Sequence, residues 1–454
     1  MPHEPHDHPD RRRRARQPRR RRGDAPGPAP QVSYEDTGQL LFPSFTDPSQ
    51  AASLEVTGWD ETAARNTSFK VELKDGRWTI PSHNDYPADG TERMGKAAAS
   101  FIDVKKDIYR GDRPEDQSSY GLDDPTDPNA KERGQRITIK DASGTVLSDV
   151  IVGKKVEDKE GYRYVRLPDQ KRVYAVKIDV DISTNFTDWI EKDLLLLEQD
   201  QVVSFMSDTY KVDESQGKVT GSDPLLVKKD ATDPEGTSWL IGEGSTPIEG
   251  KELDPFKVKQ AISGLDRLQI VGVRPRPEML TLQALQSKGF FVTRDGSRLY
   301  GNEGEVKAIC DDGVVYNLYF GEVTYDSGLA LTAGQEGGEA APKPEDEAAA
   351  KKDANRYMFV DVFYDPTLDT KATAGGNPED APGAKRAKQL SARFGKWFYV
   401  ISDASFKQIR KAKAEFFKDA PAGSGATPAS PAAPAKKEPA KKEPAKKEPK
   451  PAAP

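Results

Sequence analysis

The order of elements between residues 51 and 197 recurs between residues 201 and 413, and this internal repeat constrains the fold more than any other feature of the chain. In the first copy a short strand at 54–56 precedes Phe69-Lys70-Val71-Glu72-Leu73, where apolar and polar residues alternate. Asp75-Gly76 supplies a two-residue hairpin turn, and Trp78-Thr79-Ile80 returns. Past Pro87, Asp89 is placed to cap a helix whose apolar positions are Met94, Ala97, Ala98, Phe101 and Ile102. In the second copy, residues 202–206, 225–227 and 239–241 read as the corresponding strands. Asp254-Pro255 then gives an N-cap and a proline at the first helical position, followed by Val258, Ala261, Ile262 and Leu265 at i, i+3, i+4 and i+7.

The later halves of the copies match more closely. Segments 137–139 and 146–152 flank a turn and end at Gly153, while 308–310 and 314–320 flank Asp311-Asp312-Gly313 and end at Gly321. Strands at 162–166 and 173–176 correspond to 357–362 and 397–401, and closing helices are expected at 186–196 and 406–417. The fold expected is therefore α+β: two tandem diverged copies of a mainly antiparallel sheet-plus-helices module, with disordered tails.

Composition sets the limits of these modules. Residues 1–31 combine Arg, Pro, His and Asp with almost no apolar side chain, and 419–454 contain AKKEP three times over, so both read as disordered tails. The modules fall at 32–197 and 198–418, and two low-complexity insertions in the second, near 327–354 and 366–390, read as surface loops. Nine Arg against four acids in 1–24, and seven Lys against four acids in 419–454, leave 52 basic against 66 acidic residues elsewhere. A body at −14 repels phosphate backbones, so no specific nucleic-acid partner is expected. The Arg tail, Arg11 to Arg22, supports only weak contact with polyanions or anionic lipid, and no aromatic residue interleaves it for base stacking. Cys310 is the single cysteine, which excludes an intramolecular disulfide. The longest apolar runs, such as 194–197, fall far short of the ~18–20 residues of a membrane span.

No motif carries a complete chemistry. Gly90-Thr91-Glu92-Arg93-Met94-Gly95-Lys96-Ala97 lacks the hydroxyl that a phosphate-binding loop places after its lysine to hold Mg²⁺, and reads as a helix start. His83 sits in a polar stretch beside Asn84 and Asp85, with no strained serine elbow to serve. Asp123-Asp124, Asp311-Asp312, Asp179 and Asp181 read as turn acids rather than a pair with split pKa values. His3, His6 and His8 with Asp7 offer only adventitious metal ligation, because ordering a tail opposes it. Trp78 and Trp239 hold equivalent strand positions, as do Tyr174 and Tyr399, and read as a shared core. No catalytic, cofactor-binding or metal-binding residue is assigned, and no cofactor is expected.

Gly38-Gln39-Leu40-Leu41-Phe42-Pro43, Trp78-Thr79-Ile80-Pro81, Tyr86-Pro87-Ala88-Asp89 and Gly153 after its hairpin resemble the pattern of the domain of unknown function 4340 family, over roughly residues 38–415. Members of that family usually carry a membrane-spanning helix just before the Gly-x-x-Leu-Phe-Pro stretch, where this chain has its Arg/Pro run. Some relatives are associated with ABC-type transport and gliding motility. The resemblance implies a membrane-associated extracytoplasmic position and protein partners among transport or cell-envelope subunits. The function expected is a non-enzymatic interaction or scaffold protein. The alternatives are a small-ligand or polysaccharide-binding protein using a cleft between the modules, and an enzyme of unrecognised type.

Overall fold

A computed structural model describes residues 36–420, apart from 62–63, 181, 214–215, 278, 280, 335–353 and 373–374. The expectations for the Arg and AKKEP tails, for His3, His6 and His8, for Asp181 and for most of the first insertion thus lie outside the described residues. The described residues divide into two compact units, 36–191 with 332–334, and 192–331 with 354–420. The fold is α+β, with antiparallel pairing throughout both large sheets.

The first unit holds strands β1 (Ser53–Asp60), β2 (Arg65–Lys74), β3 (Arg77–Ile80) and β4 (Tyr86–Pro87), helix α1 (Thr91–Ala99), strand β5 (Ile108–Gly111) and helix α2 (Pro114–Ser119). Strands β6 (Gln135–Lys140), β7 (Val146–Lys155), β8 (Tyr162–Arg166) and β9 (Val173–Lys177) complete it. These nine strands form one sheet in the order β4-β3-β2-β1-β6-β7-β8-β9-β5. The turn after β2 is a left-handed hairpin turn, with φ of 51° at Asp75 and 74° at Gly76, which matches the twist of the strands it joins. Period-two alternation places one apolar row across four strands. Phe69, Val56, Ile137 and Val150 face one another in register, and all four are buried.

The second unit begins with β10 (Val202–Asp208), β11 (Lys211–Asp213), β12 (Lys218–Thr220), β13 (Leu225–Lys229), β14 (Trp239–Ile241) and β15 (Lys251–Leu253). Helix α3 (Pro255–Asp266), β16 (Gly272–Pro275), α4 (Leu282–Gln286), β17 (Phe290–Val292), β18 (Leu299–Gly301), β19 (Glu305–Cys310) and β20 (Asp312–Thr324) follow. The unit closes with α5 (Gly328–Ala333), β21 (Asn355–Asp369), α6 (Pro382–Phe394), β22 (Trp397–Ser402), α7 (Asp403–Ile409) and β23 (Phe417–Asp419). Its main sheet runs β14-β13-β10-β19-β20-β21-β22-β16, which is the strand order of the first sheet without β4. A buried apolar row again crosses it, through Val227, Phe205, Ala308, Tyr316 and Val362. Strand order alone does not establish that one unit was copied from the other.

Three local expectations are corrected. Asp89 does not cap α1. The backbone at 88–89 is pinned by Ala88 N–H to Trp78 O and Asp89 N–H to Trp189 O, both close to 2.8 Å, and Gly90 takes the cap position without a side-chain bond. By contrast Asp254 caps α3 as expected, accepting the Phe256 N–H, with Pro255 at the first position. The closing helix at 186–196 shrinks to one turn, Phe186–Asp188, because Asp193 accepts the Leu196 N–H and Leu196 turns to φ 49°. Its counterpart at 406–417 splits into α7, a single turn at Lys413–Phe416, and the start of β23.

The second insertion is not a surface loop. Its residues extend β21 and then form α6, whose Ala387, Leu390 and Phe394 recur at helical spacing and are buried. Arg386 fixes the helix to β20 through Asp312 at 2.6 Å and the Tyr316 hydroxyl at 3.1 Å. In the first insertion, residues 328–333 are helical.

Candidate binding groove

An open groove with converging side chains lies wholly in the second unit. A groove of about 480 Å³ runs between the edge strand β14 and the start of α3, bounded by Trp239, Phe256, Lys229, Lys259, Asp200 and Glu235. Each wall follows from local sequence. Asp254 and Pro255 start α3 abruptly, and the apolar face Val258, Ala261, Ile262 and Leu265 turns inward. Phe256 falls off that face and is 72% exposed. Its exposure was legible as an apolar residue out of helical phase, a signal the periodic reading passed over.

The loop from β13 to β14 is held by its own acids. The Asp233 carboxylate accepts backbone N–H groups from Glu235, Thr237 and Ser238, and the Ser238 side chain, together with these backbone bonds, holds its pKa well below the usual carboxylate range. Gly236 lies at φ 63° against the Lys229 side chain, where an added Cβ would come within 3.2 Å of Cε. Lys229 in turn donates to Asp200 O at 3.4 Å. The groove is therefore rimmed by two ammonium and two carboxylate groups on a fixed backbone.

Trp239 is half-buried and lines this groove, so it is not the core residue expected from its strand position. Trp78 is half-buried too, but Gly90 closes over it: a Cβ at Gly90 would lie 3.0 Å from Trp78 Cγ. The tyrosines behave as expected, since Tyr174 and Tyr399 are fully buried in their own units. Burial and the Asp36 carboxylate, 2.6 Å away, push the Tyr174 hydroxyl up to about 12.

The other singled-out residues do not converge. His83 is 1% exposed rather than set in an open polar turn. Its ring stacks on Phe186 at 4.2 Å, and its nitrogens meet the hydroxyls of Ser82 and Thr332, each at 2.9 Å. The stretch 90–97 is the first turns of α1, and Lys96 spends its charge on Glu92 at 2.6 Å on the exposed face. Burial raises Asp123, but bonds from Ser118 and the Glu132 and Lys131 N–H groups outweigh it and leave the carboxyl below its ordinary value. Asp311 pairs with Lys371 at 2.8 Å and Asp312 with Arg386, while Asp179 is exposed. Burial pushes the Cys310 thiol up to about 11, away from reactivity. Among the described residues no group of three or more His, Cys, Asp or Glu is placed to hold a metal, and no helix is long and apolar enough to cross a membrane.

No curated protein and no solved structure matches the chain. The model of the Domain of unknown function (DUF4340) matches residues 78–287, from Trp78 on β3 to the residue after α4, and so takes in part of each unit and both walls of the groove. Over that span the chain is similar to the DUF4340 family.

Proposed function

We propose that the chain is a non-enzymatic interaction protein that receives an extended segment of a partner polypeptide along β14. The observation that carries this reading is an open sheet edge that bears an exposed apolar residue, with Trp239 of the same strand and Phe256 of α3 lining the groove beside it. Leu240 is 55% and Phe256 72% exposed, beside the half-buried Trp239. β14 ends its sheet and pairs only with β13 among the described strands. An incoming strand would gain backbone hydrogen bonds from this edge, and a side chain entering between Trp239 and Phe256 would supply selectivity. The two positive and two negative groups of the rim favour a partner of mixed rather than single-sign charge. The setting proposed for that partner is the transport or cell-envelope complex implied by the resemblance.

A photo-crosslinking residue at position 256 tests the reading, with one at the exposed Leu73 of the first unit as control. The expected result is a polypeptide adduct at 256 that is missing at 73 and lost when Leu240 is changed to Glu. Equal capture at both positions, or none at 256, would sink it. A second reading rests on volume, since about 480 Å³ lies within the range of small-ligand sites. Saturable quenching of tryptophan emission by an oligosaccharide, abolished by Trp239→Ala, with no polypeptide adduct at 256, would select it instead.

A further inference from the structure

The two sheets differ at one end. In the first unit β3 is covered by β4, where Thr79 faces Pro87 and Ile80 faces Tyr86, and the Trp78 carbonyl accepts the Ala88 N–H at 2.8 Å. The Pro87 nitrogen, on the outward side of β4, carries no proton, so it offers nothing to a further strand. The second unit repeats the strand, Trp239-Leu240-Ile241 for Trp78-Thr79-Ile80, and among the described residues no strand covers it. Thr79 is 9% exposed beside β4, whereas Leu240 is 55% exposed.

The bonds to β13 decide which main-chain groups of β14 face the open side. Gly242 N–H donates to Leu226 O at 2.8 Å and Asp230 N–H to Ser238 O at 2.9 Å, while Trp239 pairs with Lys229, Leu240 with Lys228 and Ile241 with Val227. Residues 238, 240 and 242 therefore hold the hydrogen-bonded positions, and the N–H and C=O of Trp239 and Ile241 point away from β13. Trp78 and Ile80 are their counterparts on β3. A natural sheet edge is usually blunted by a charge, a proline or a bulge, and β14 has three apolar residues instead.

We propose that the place β4 fills in the first unit is taken in the second by β14 of another copy of the chain, so that two sheets join edge to edge about a two-fold axis at Leu240. This pairing rests on β14 being a receiving edge, and the second copy is the polypeptide received. In the antiparallel register that uses all three residues, Trp239 of each copy exchanges both main-chain hydrogen bonds with Ile241 of the other. The two Leu240 side chains then stand directly opposite each other as a non-hydrogen-bonded pair, where side chains lie closest. A leucine that replaces the threonine of the first unit is thereby covered. The charges around the strand permit self-pairing: Lys229 and Lys259 balance Asp200 and Glu235, so the rim meets a copy of itself without single-sign repulsion. An isologous contact of this kind closes on two copies, because each β14 has one open side.

Sedimentation of the full chain over a range of concentrations tests the proposal. A monomer–dimer equilibrium is expected, and Leu240→Glu, which sets two carboxylates opposite each other, should weaken it by about tenfold or more. Leu240→Cys adds a check of register. Cα atoms at such a pair lie about 4.5 Å apart, within the span of a disulfide, and the native Cys310 is buried. On oxidation, Leu240→Cys should give a disulfide-linked dimer about tenfold faster or more than Leu73→Cys, at an exposed leucine of the first unit. A chain that stays monomeric at every concentration, a dimer that survives Leu240→Glu, or equal disulfide rates at the two positions overturns the proposal. A monomer that still gives an adduct at position 256 to a different polypeptide removes the second copy but leaves the receiving edge standing. A monomer without that adduct removes both.

Discussion

A Cβ placed on Gly153 would lie 2.3 Å from the carbonyl oxygen of Tyr120, the oxygen that accepts the Lys154 N–H. Gly321 stands in the same relation to Lys288, at 2.1 Å from its carbonyl oxygen, which accepts the Glu322 N–H. Both glycines are buried in the long middle strand of their sheet, and both let a loop backbone lie against it. Gly153→Ala and Gly321→Ala are therefore each expected to lower stability by about 1–3 kcal/mol, the usual penalty for overpacking. Urea denaturation measures this. If either alanine is neutral, the two positions are not equivalent, and the proposal that the units descend from one duplicated module loses its best support.

Asp36 accepts from the Tyr174 hydroxyl at 2.6 Å, Arg172 at 3.0 Å and Lys106 at 3.3 Å, and these bonds hold its carboxyl below the ordinary value against the opposing effect of burial. A carboxyl depressed on folding contributes stability that is present above its unfolded pKa and lost as pH falls through the folded value. Asp36→Asn is expected to lose about 1–2 kcal/mol at pH 7, in line with hydrogen bonds to a charged group. The difference from the unsubstituted chain should shrink below about pH 4, where the carboxyl protonates in the unfolded chain and then in the folded one. A difference independent of pH would place the effect in packing instead.

Leu390→Ala reports on α6. A leucine in a solvated insertion could be truncated with little effect, but Leu390 is buried on the inward face of α6. Its truncation is expected to lower stability by about 2–5 kcal/mol. An unchanged denaturation midpoint would return this segment to the status of a surface loop.

Contact with polyanions, if it occurs, is assigned by charge to residues 1–24, which lie outside the described residues and hold nine Arg. Retention on an immobilised polyphosphate is expected at low salt, falling steeply as salt rises because counterion release drives it. Removal of residues 1–24 should abolish retention, since the remaining body is acidic. Retention that survives the removal would point to a basic surface on one of the units.

The sequence by itself determined those local elements that rest on short-range chemistry. Alternation at 69–73, the Asp75-Gly76 turn and the Asp254-Pro255 helix start are short-range matters of sterics and hydrogen bonding, and each stands where it was read. Only tertiary structure decided what depends on distant backbone. Asp89 lost the cap of α1 to Gly90 because Trp78 and Trp189 pin the chain there, residues far apart in sequence. The run 366–390 read as a surface loop because its composition is polar, yet Ala387 and Leu390, with Phe394 just beyond it, suffice to seat a helix once β20 and β21 offer a surface. The groove was illegible for the same reason. Trp78 and Trp239 hold the same strand position, but whether such a ring is covered, as by Gly90, or left open beside Phe256 is set by the segment that crosses it. Period and turn chemistry act within a few residues, whereas burial is a property of neighbours that the chain brings together only when folded.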